Sequence, residues 1–186
     1  DTYASVSYLN DKGYMKKTDF ERYSGRLNYN VYPVKWFKTG LNLSLSRVLS
    51  QYSTSDSGSS SSYNNLTRFI RHMAPNYPVH KHDLETGAYL DADGKPTTDS
   101  SKYVYDYDGY RLADAGRDAF AETEFNMRET ARNQQTANTY VTFFPIEGLN
   151  LTTNYSYNNV DRRRKVYENP KVGDGAPGGR FNILST

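Results

Sequence analysis

The stretches TGLNLSLSR (residues 39–47) and EGLNLTTNYSY (residues 147–157) decide the predicted fold, because the letters Gly-Leu-Asn-Leu occur near the start of both. In the first stretch, leucines occupy every second position, with Asn or Ser between them. In the second, Leu, Thr and Tyr alternate with Asn, Thr and Ser. This strict period of two predicts β-strands whose two faces meet different surroundings.

Similar alternation predicts further strands next to both copies. Residues 2–9 (TYASVSYL) and 20–32 (FERYSGRLNYNVY) flank the turn-forming letters NDKG, and residues 133–144 (NQQTANTYVTFF) precede the second copy. A short turn with proline, PVKW at 33–36 or PIEG at 145–148, lies before each copy. The sequence therefore predicts two hairpins of the same plan.

The composition is poor in aliphatic residues and rich in tyrosine. Hydrophobic residues make up 36% of the 186 residues, mean hydropathy is −0.86, and 18 residues are Tyr. A soluble domain normally contains nearer half apolar residues, whereas Tyr suits a boundary between oil and water. No run approaches the length of a membrane-spanning helix. The chain starts at Asp1 with no visible signal peptide, so we expect a piece of a longer protein.

Charge and cysteine content exclude several classes of function. The net charge of +2 gives no electrostatic argument for a nucleic-acid partner. The absence of cysteine excludes a disulfide scaffold and a thiolate metal site. No nucleophile-elbow, zinc-protease or phosphate-loop motif is present, so we do not expect an enzyme, and we expect no cofactor.

Short turns at one end of the hairpins and a connection of about 75 residues at the other are the layout of a transmembrane β-barrel. Strands of about 9–11 residues cross the hydrocarbon layer when they are tilted. The alternate polar residues then face a wet lumen. The side chains expected to face lipid are Leu41, Leu43, Leu45, Leu149, Leu151 and Tyr155. Those expected in an interfacial aromatic girdle are Tyr32, Trp36, Phe37, Phe143 and Phe144.

This reading gives the chain four parts. Residues 1–52 are barrel strands, 53–125 a long extracellular loop with short helices at 63–73 and 115–125, 126–165 barrel strands with a periplasmic turn at 145–148, and 166–186 a loop and the start of the next strand. The alternative is a secreted β-sandwich, a carbohydrate-binding or adhesin domain, because sandwich strands also alternate. In a sandwich the leucines would converge on a dry interior between two layers.

The letters also resemble a barrel segment of the SusC/RagA family of TonB-dependent outer-membrane transporters of Bacteroidetes. The resemblance covers most of residues 2–160. Its matched positions in the first part are Tyr3, Ala4, Ser5, Tyr8, Leu9, Gly13, Asp19, Phe20, Arg22, Tyr23, Trp36, Lys38, Gly40, Leu41 and Asn42. Later landmarks are MAPNYPV (73–79) and FFPIEGLNL (143–151).

The resemblance implies a parent with an N-terminal plug, a segment that contacts the TonB complex and a barrel of about 22 strands, of which about five are present here. It implies residence in the outer membrane, among outer-membrane lipids. It also implies a SusD-like surface lipoprotein as a lid that delivers oligosaccharide or peptide cargo, with uptake energised through TonB.

One loop segment, YVYDYDGY (103–110), interleaves rings with carboxylates. Rings stack on sugar faces and carboxylates accept sugar hydroxyls, so the segment is a candidate for cargo or lid contact. The candidate residues are Tyr103, Tyr105, Asp106, Tyr107, Asp108 and Tyr110. The alternative, which we favour, is a loop that packs on itself or on the lid through its tyrosines.

Three other stretches carry weaker signals. DADGK (91–95) begins like a calcium loop, but Lys102 stands where the bidentate Glu belongs, so it predicts a turn and no metal. His72, His80 and His82 predict solvated loop histidines. DRRRK (161–165) predicts either contact with lipopolysaccharide phosphates or a solvated strand end.

Overall fold

All the strands that we describe form one antiparallel sheet. The computed structural model describes residues 1–52, 77–107, 116–173 and 178–186. The strands are β1 (Thr2–Lys12), β2 (Asp19–Val34), β3 (Phe37–Gln51), β4 (Met127–Ile146), β5 (Leu149–Glu168) and β6 (Arg180–Ser185). They pair in chain order in a 6-stranded sheet, so the predicted all-β, antiparallel fold is confirmed, with six strands where about five were expected.

The register gives the sheet two chemically different faces. Leu43 lies between Leu27 and Ala137 of the neighbouring strands. We call the side that carries Leu41, Leu43 and Leu45 the leucine face. Asn42 lies between Asn28 and Asn138, and we call that side the asparagine face. Directly opposed residues share a face, so the alternation read from each strand is continuous across the sheet.

The described residues do not form a sandwich. The buried apolar side chains among them are Ala119, Ala121 and Val172, none of which belongs to a strand. Leu151 is 55% exposed and Leu45 is 43% exposed. The leucines therefore do not converge on a dry interior, and the alternative of two packed layers is wrong for this part of the chain. No helix of the described residues is long and apolar enough to span a membrane.

A proline bulge and a two-residue turn join β2 to β3 and, in the same way, β4 to β5. Val34 pairs with Phe37 around the first turn, and Ile146 pairs with Leu149 around the second. The register shifts just before each turn, at the positions of Pro33 and Pro145. Proline has no N–H to donate to the ladder, so a bulge is where a sheet tolerates it.

The two Gly-Leu-Asn-Leu copies are not equivalent in this register. Gly148 lies in the turn, with φ of 84°, immediately before the first paired residue of β5. In the other turn that position belongs to Trp36, and Gly40 lies inside β3, opposite Tyr140. The structural repeat is therefore the bulge and turn, and only the second copy starts directly at its turn.

We call the end of the sheet opposite the two proline turns the loop end. The one α-helix of the described residues, α1 (Ala119–Phe125), precedes β4 at this end. It is shorter than the predicted 115–125, because Asp118 caps it by accepting a hydrogen bond of 2.8 Å from the Ala121 backbone N–H. A 3-10 turn covers Ser100–Lys102. The helix predicted at 63–73 lies outside the described residues.

Candidate cargo-contacting surfaces

The asparagine face presents a network of amide and hydroxyl groups. Ser156 Oγ donates to Asn138 Oδ1 at 2.6 Å, and Thr136 Oγ1 donates to Asn158 Oδ1 at 3.2 Å. Thr142 and Thr152 hydroxyls lie 3.0 Å apart and share a hydrogen bond. These groups both donate and accept, so the face can exchange hydrogen bonds with water or with a polar solute.

The side chains predicted to face lipid all lie on the leucine face. Leu41 pairs with Thr139, which pairs with Tyr155 on the next strand. In the same way, Phe37 pairs with Phe143, which pairs with Leu151. Leu43 and Leu45 follow Leu41 along β3, and Leu149 precedes Leu151 along β5. From Phe37 to Leu45 the apolar stretch of β3 has about the length that crosses a hydrocarbon layer.

Polar residues replace the apolar ones on the leucine face towards the loop end. The row beyond Leu45 contains Arg47, Asn133 and Asp161, which are level with one another. Asn133 Nδ2 donates to Asp161 Oδ2 at 3.5 Å. The apolar stretch therefore ends in a polar margin on the side of the long connection.

Three of the five residues predicted for the aromatic girdle form one cluster beside the turns. The Trp36 ring stacks on that of Phe143 with centroids 6.3 Å apart, and the Phe37 ring lies 5.3 Å from Phe143. Phe144 occupies in the second bulge the position that Tyr32 occupies in the first, and it donates its backbone N–H to the Trp36 carbonyl at 2.8 Å. The cluster belongs to the leucine face through Phe37 and Phe143.

Tyr32, the fourth residue predicted for the girdle, lies apart from that cluster. Its ring lies 5.0 Å from the Lys38 ammonium, which also lies 5.4 Å from the ring of Tyr140. Lys38 and Tyr140 belong to the asparagine face. Tyr32 continues the alternation of Asn30 up to the proline bulge, so it remains on that side.

The Tyr140 ring also covers Gly40. Tyr140 Oη donates a hydrogen bond of 2.8 Å to Asn30 Oδ1, across the strand that contains Gly40. A methyl group at Gly40 would overlap both the Tyr140 ring and the Asn30 oxygen. The aromatic ring therefore fills the space above a strand glycine, a device that pins the register of sheets.

The predicted aromatic contact segment packs largely on its own loop. The Tyr103 ring stacks on Tyr89 at 4.4 Å and lies 5.6 Å from His80. The Tyr105 ring stacks on His80 at 5.0 Å and meets Phe125 edge-on at 5.7 Å. Because both rings are engaged in contacts within the loop, less of each ring is left for stacking on a sugar.

A hydrogen bond fastens this aromatic stack to α1. Tyr105 Oη donates to Glu124 Oε2 at 2.7 Å. Burial, followed by the hydrogen bond to the Glu124 carboxylate, raises the pKa of Tyr105 to about 12. The hydroxyl therefore stays protonated, and able to donate, at any physiological pH.

The other predicted contact residues of the segment differ in their exposure. Asp106 is 1% exposed, so its carboxylate is removed from the surface, which does not favour contact with cargo or lid. Tyr107 is partly exposed, with the Lys81 ammonium 5.9 Å from its ring centroid. Asp108 and Tyr110 lie outside the described residues.

The weaker motifs of the loop form turns and ring contacts. Asp91 Oδ1 accepts the backbone N–H groups of Asp93 and Lys95 at 2.9 Å each, which closes the DADGK turn. The His80 ring belongs to the aromatic stack, and the backbone of His82 pairs with that of Tyr89 in an isolated β-bridge. His72 lies outside the described residues. Within the described ranges, no three His, Asp or Glu side chains come together as a metal site would require.

Strand alternation divides the DRRRK run between the two faces. Arg163 and Lys165 share the leucine face with Asp161, whereas Arg162 and Arg164 point to the asparagine face. Lys165 Nζ lies 3.6 Å from Glu129 Oε1. The run is therefore not one continuous anion site.

Comparison with known proteins identifies similar folds only among solved structures. No family model and no curated protein matches the sequence. Similar structures are the RagAB peptide importer in the closed-closed state (TM-score 0.60, 20% identity), the RagAB peptide transporter (0.58, 20%) and the RagAB importer in the open-open state (0.58, 21%). Each match covers 99% of this chain and 18% of the other. These neighbours are transporters, and the fold of this chain is similar to that of a segment of them.

Proposed function

We propose that this chain forms part of the barrel wall of a SusC-like, TonB-dependent importer in the bacterial outer membrane. The observation that carries the proposal is the single sheet with a leucine face on one side and an asparagine face on the other. A wall between lipid and water needs one face of each kind. The fold similarity to RagAB peptide importers supports the same assignment.

In this proposal the leucine face meets lipid and the asparagine face lines the aqueous path. The two proline turns lie on the periplasmic side, with Trp36, Phe37 and Phe143 at the interface. Residues 53–125 lie outside the cell. Both edge strands, β1 and β6, continue into neighbouring strands of a larger barrel, because an open sheet edge is not tolerated in lipid.

The cargo is an oligosaccharide or a peptide, delivered by a SusD-like lipoprotein lid. The wall contributes no catalysis and no cofactor. Its hydroxyl and amide groups replace the hydration of a polar solute as it passes. Energy enters through the TonB complex, which acts on a part of the transporter beyond this chain. Among the predicted contact residues, Tyr107 is partly exposed and therefore accessible to the lid or the cargo.

Fractionation and uptake of the complete protein in its native host test this proposal. We expect the protein in the outer membrane, soluble only in detergent, and purifying with a surface lipoprotein. Uptake of labelled oligopeptides or oligosaccharides by the cells should be lost when TonB is deleted and when the protein itself is deleted. A protein that is monodisperse in water without detergent would contradict the proposal.

A further inference from the structure

A row of arginines crosses the asparagine face near the loop end. The register places Arg22 of β2, Val48 of β3, Arg132 of β4 and Arg162 of β5 level with one another. Neighbouring strands lie about 4.8 Å apart, so Arg132 and Arg162 are adjacent and Arg22 lies about 10 Å from Arg132. Like charges placed directly opposite one another destabilise a sheet, so this row has a cost.

The row is open to solvent on the proposed lumen side. Arg22, Arg132 and Arg162 are all exposed. Arg132 Nη2 donates to the Gln134 amide oxygen at 3.3 Å. Among the described residues, neither Arg22 nor Arg132 forms an ion pair with a carboxylate. Both guanidinium groups therefore have hydrogen-bond donors available for an anion.

Another arginine on the asparagine face is paired with a carboxylate within the sheet itself. Arg128 Nη2 lies 3.0 Å from Glu168 Oε1, and both side chains are buried. That pair is enclosed at the loop end, whereas the arginine row is not. The contrast indicates that Arg22 and Arg132 are held ready for a partner from outside this segment.

A groove lies on the same face beside the row. Its volume is ≈ 590 Å³, and it is lined by Val48, Ser50, Thr130 and Val160 together with Arg132 and Arg162. These six residues belong to the asparagine face, and Tyr52 and Thr186 complete the lining. The groove therefore offers apolar floor and hydroxyl groups next to two guanidinium groups, which suits a short stretch of extended peptide.

We propose that the arginine row selects acidic peptides, by binding their side-chain carboxylates as they enter the lumen. This inference rests on the proposed function as an importer. Guanidinium groups bind carboxylates in a bidentate manner. In an extended peptide, alternate residues are about 6.6 Å apart and point the same way, so successive acidic residues on one side can reach neighbouring arginines.

Binding of matched peptides to the complete transporter with its lipoprotein tests the inference. Three peptides of equal length carry Glu, Gln or Lys at alternate positions, and calorimetry gives each Kd. We expect the Glu peptide to bind at least about tenfold more tightly than the Gln peptide, as charge-assisted hydrogen bonds imply. The advantage should shrink at high ionic strength.

Single substitutions then assign the preference to the row. Arg132→Gln and Arg22→Gln should each weaken binding of the Glu peptide by about tenfold and leave the Gln peptide unchanged. Arg47→Gln is the matched control, because Arg47 neighbours Val48 but belongs to the leucine face. It should change none of the three affinities.

The outcomes separate the inference from the importer proposal. Equal binding of the Glu and Gln peptides by the unaltered transporter overturns the inference and leaves the importer proposal intact, and this measurement needs no variant. A preference that survives both arginine substitutions also overturns it. Binding of a uronic-acid oligosaccharide in place of the Glu peptide overturns the peptide assignment. Failure to bind or import any peptide or oligosaccharide overturns both proposals.

Discussion

The two Gly-Leu-Asn-Leu copies have identical letters and occupy different depths of the sheet. Leu149, in the second copy, is the first paired residue after a turn. Leu41, in the first copy, lies four residues past the equivalent point, level with Tyr155. Gly148 has a positive φ of 84°, whereas Gly40 is a strand residue beneath the Tyr140 ring.

The difference teaches that sequence identity over four residues does not fix structural equivalence in a sheet. The glycine is required by backbone conformation in one copy and by side-chain space in the other. The leucines share a face in both copies but differ in distance from the turns. If the leucine face meets lipid, the two copies should respond differently to the same substitutions.

The largest expected difference comes from placing a charge on the leucine face. In the lipid-embedded complete protein, Leu41→Arg should lower the free energy of unfolding by about 2–4 kcal/mol, and Leu149→Arg by about 0–1 kcal/mol, because the cost depends on depth. Denaturant titration in liposomes measures both. Asn42→Arg, on the asparagine face, is the control and should cost far less than Leu41→Arg. Equal costs at Leu41 and Leu149 would contradict the assigned depths.

The next largest loss in the free energy of unfolding is expected at Gly40, where a side chain has no space. Gly40→Ala forces the Tyr140 ring and Asn30 apart, and we expect a loss of about 1–3 kcal/mol in the free energy of unfolding, as for other overpacked sites. Gly25→Ala is the matched control in the neighbouring strand, where the nearest atom to a new Cβ is the Ser5 carbonyl oxygen at 4.0 Å. The same titration should show little change there. If Gly40→Ala leaves the free energy of unfolding unchanged, the close packing of Tyr140 and Asn30 over Gly40 is refuted.

Backbone conformation at Gly148 gives a smaller effect. A methyl group there meets nothing within 4 Å, so Gly148→Ala should cost about 1–2 kcal/mol through the left-handed backbone alone. Asn tolerates this region better than Ala, so Gly148→Asn should recover part of the loss. If Ala and Asn prove equally costly in the titration, strain at positive φ is not the reason for this glycine.

The smallest loss in the free energy of unfolding is expected when only the hydrogen bond over Gly40 is removed. Tyr140→Phe keeps the ring and removes the donor to Asn30, with an expected loss of about 0.5–1.5 kcal/mol. Thermal or denaturant unfolding of the variant, compared with Gly40→Ala, separates the hydrogen bond from the packing. A loss as large as that of Gly40→Ala would mean that the ring contributes little by itself.

Alternation along each strand predicts the strands, their faces and both proline turns from the sequence. It cannot predict the register, because register depends on how many residues each bulge absorbs. The two bulges proved identical, so the offset between Gly40 and Gly148 can be counted along the chain from Pro33 and Pro145. The face on which Tyr32 lies also depends on its bulge, since aromatic identity near a turn does not reveal the face.

The arginine row was also out of reach of the sequence. Arg22, Arg132 and Arg162 are far apart in the chain and become neighbours only through the strand pairing. The DRRRK run attracted attention because its charges are consecutive, yet alternation sends them to opposite faces. Asp106 shows the converse, because an acidic letter between tyrosines in a loop gave no sign of its burial.

Cysteine scanning along β3 tests most directly the claim that one face meets lipid and the other meets water. The chain has no cysteine of its own, so single cysteines at positions 41–46 can be labelled in the complete membrane-embedded protein. We predict that fluorophores at 41, 43 and 45 are quenched by brominated lipid tails. Positions 42, 44 and 46 should instead react with a membrane-impermeant maleimide. Uniform behaviour along the six positions, or lipid quenching at the even ones, would contradict the account.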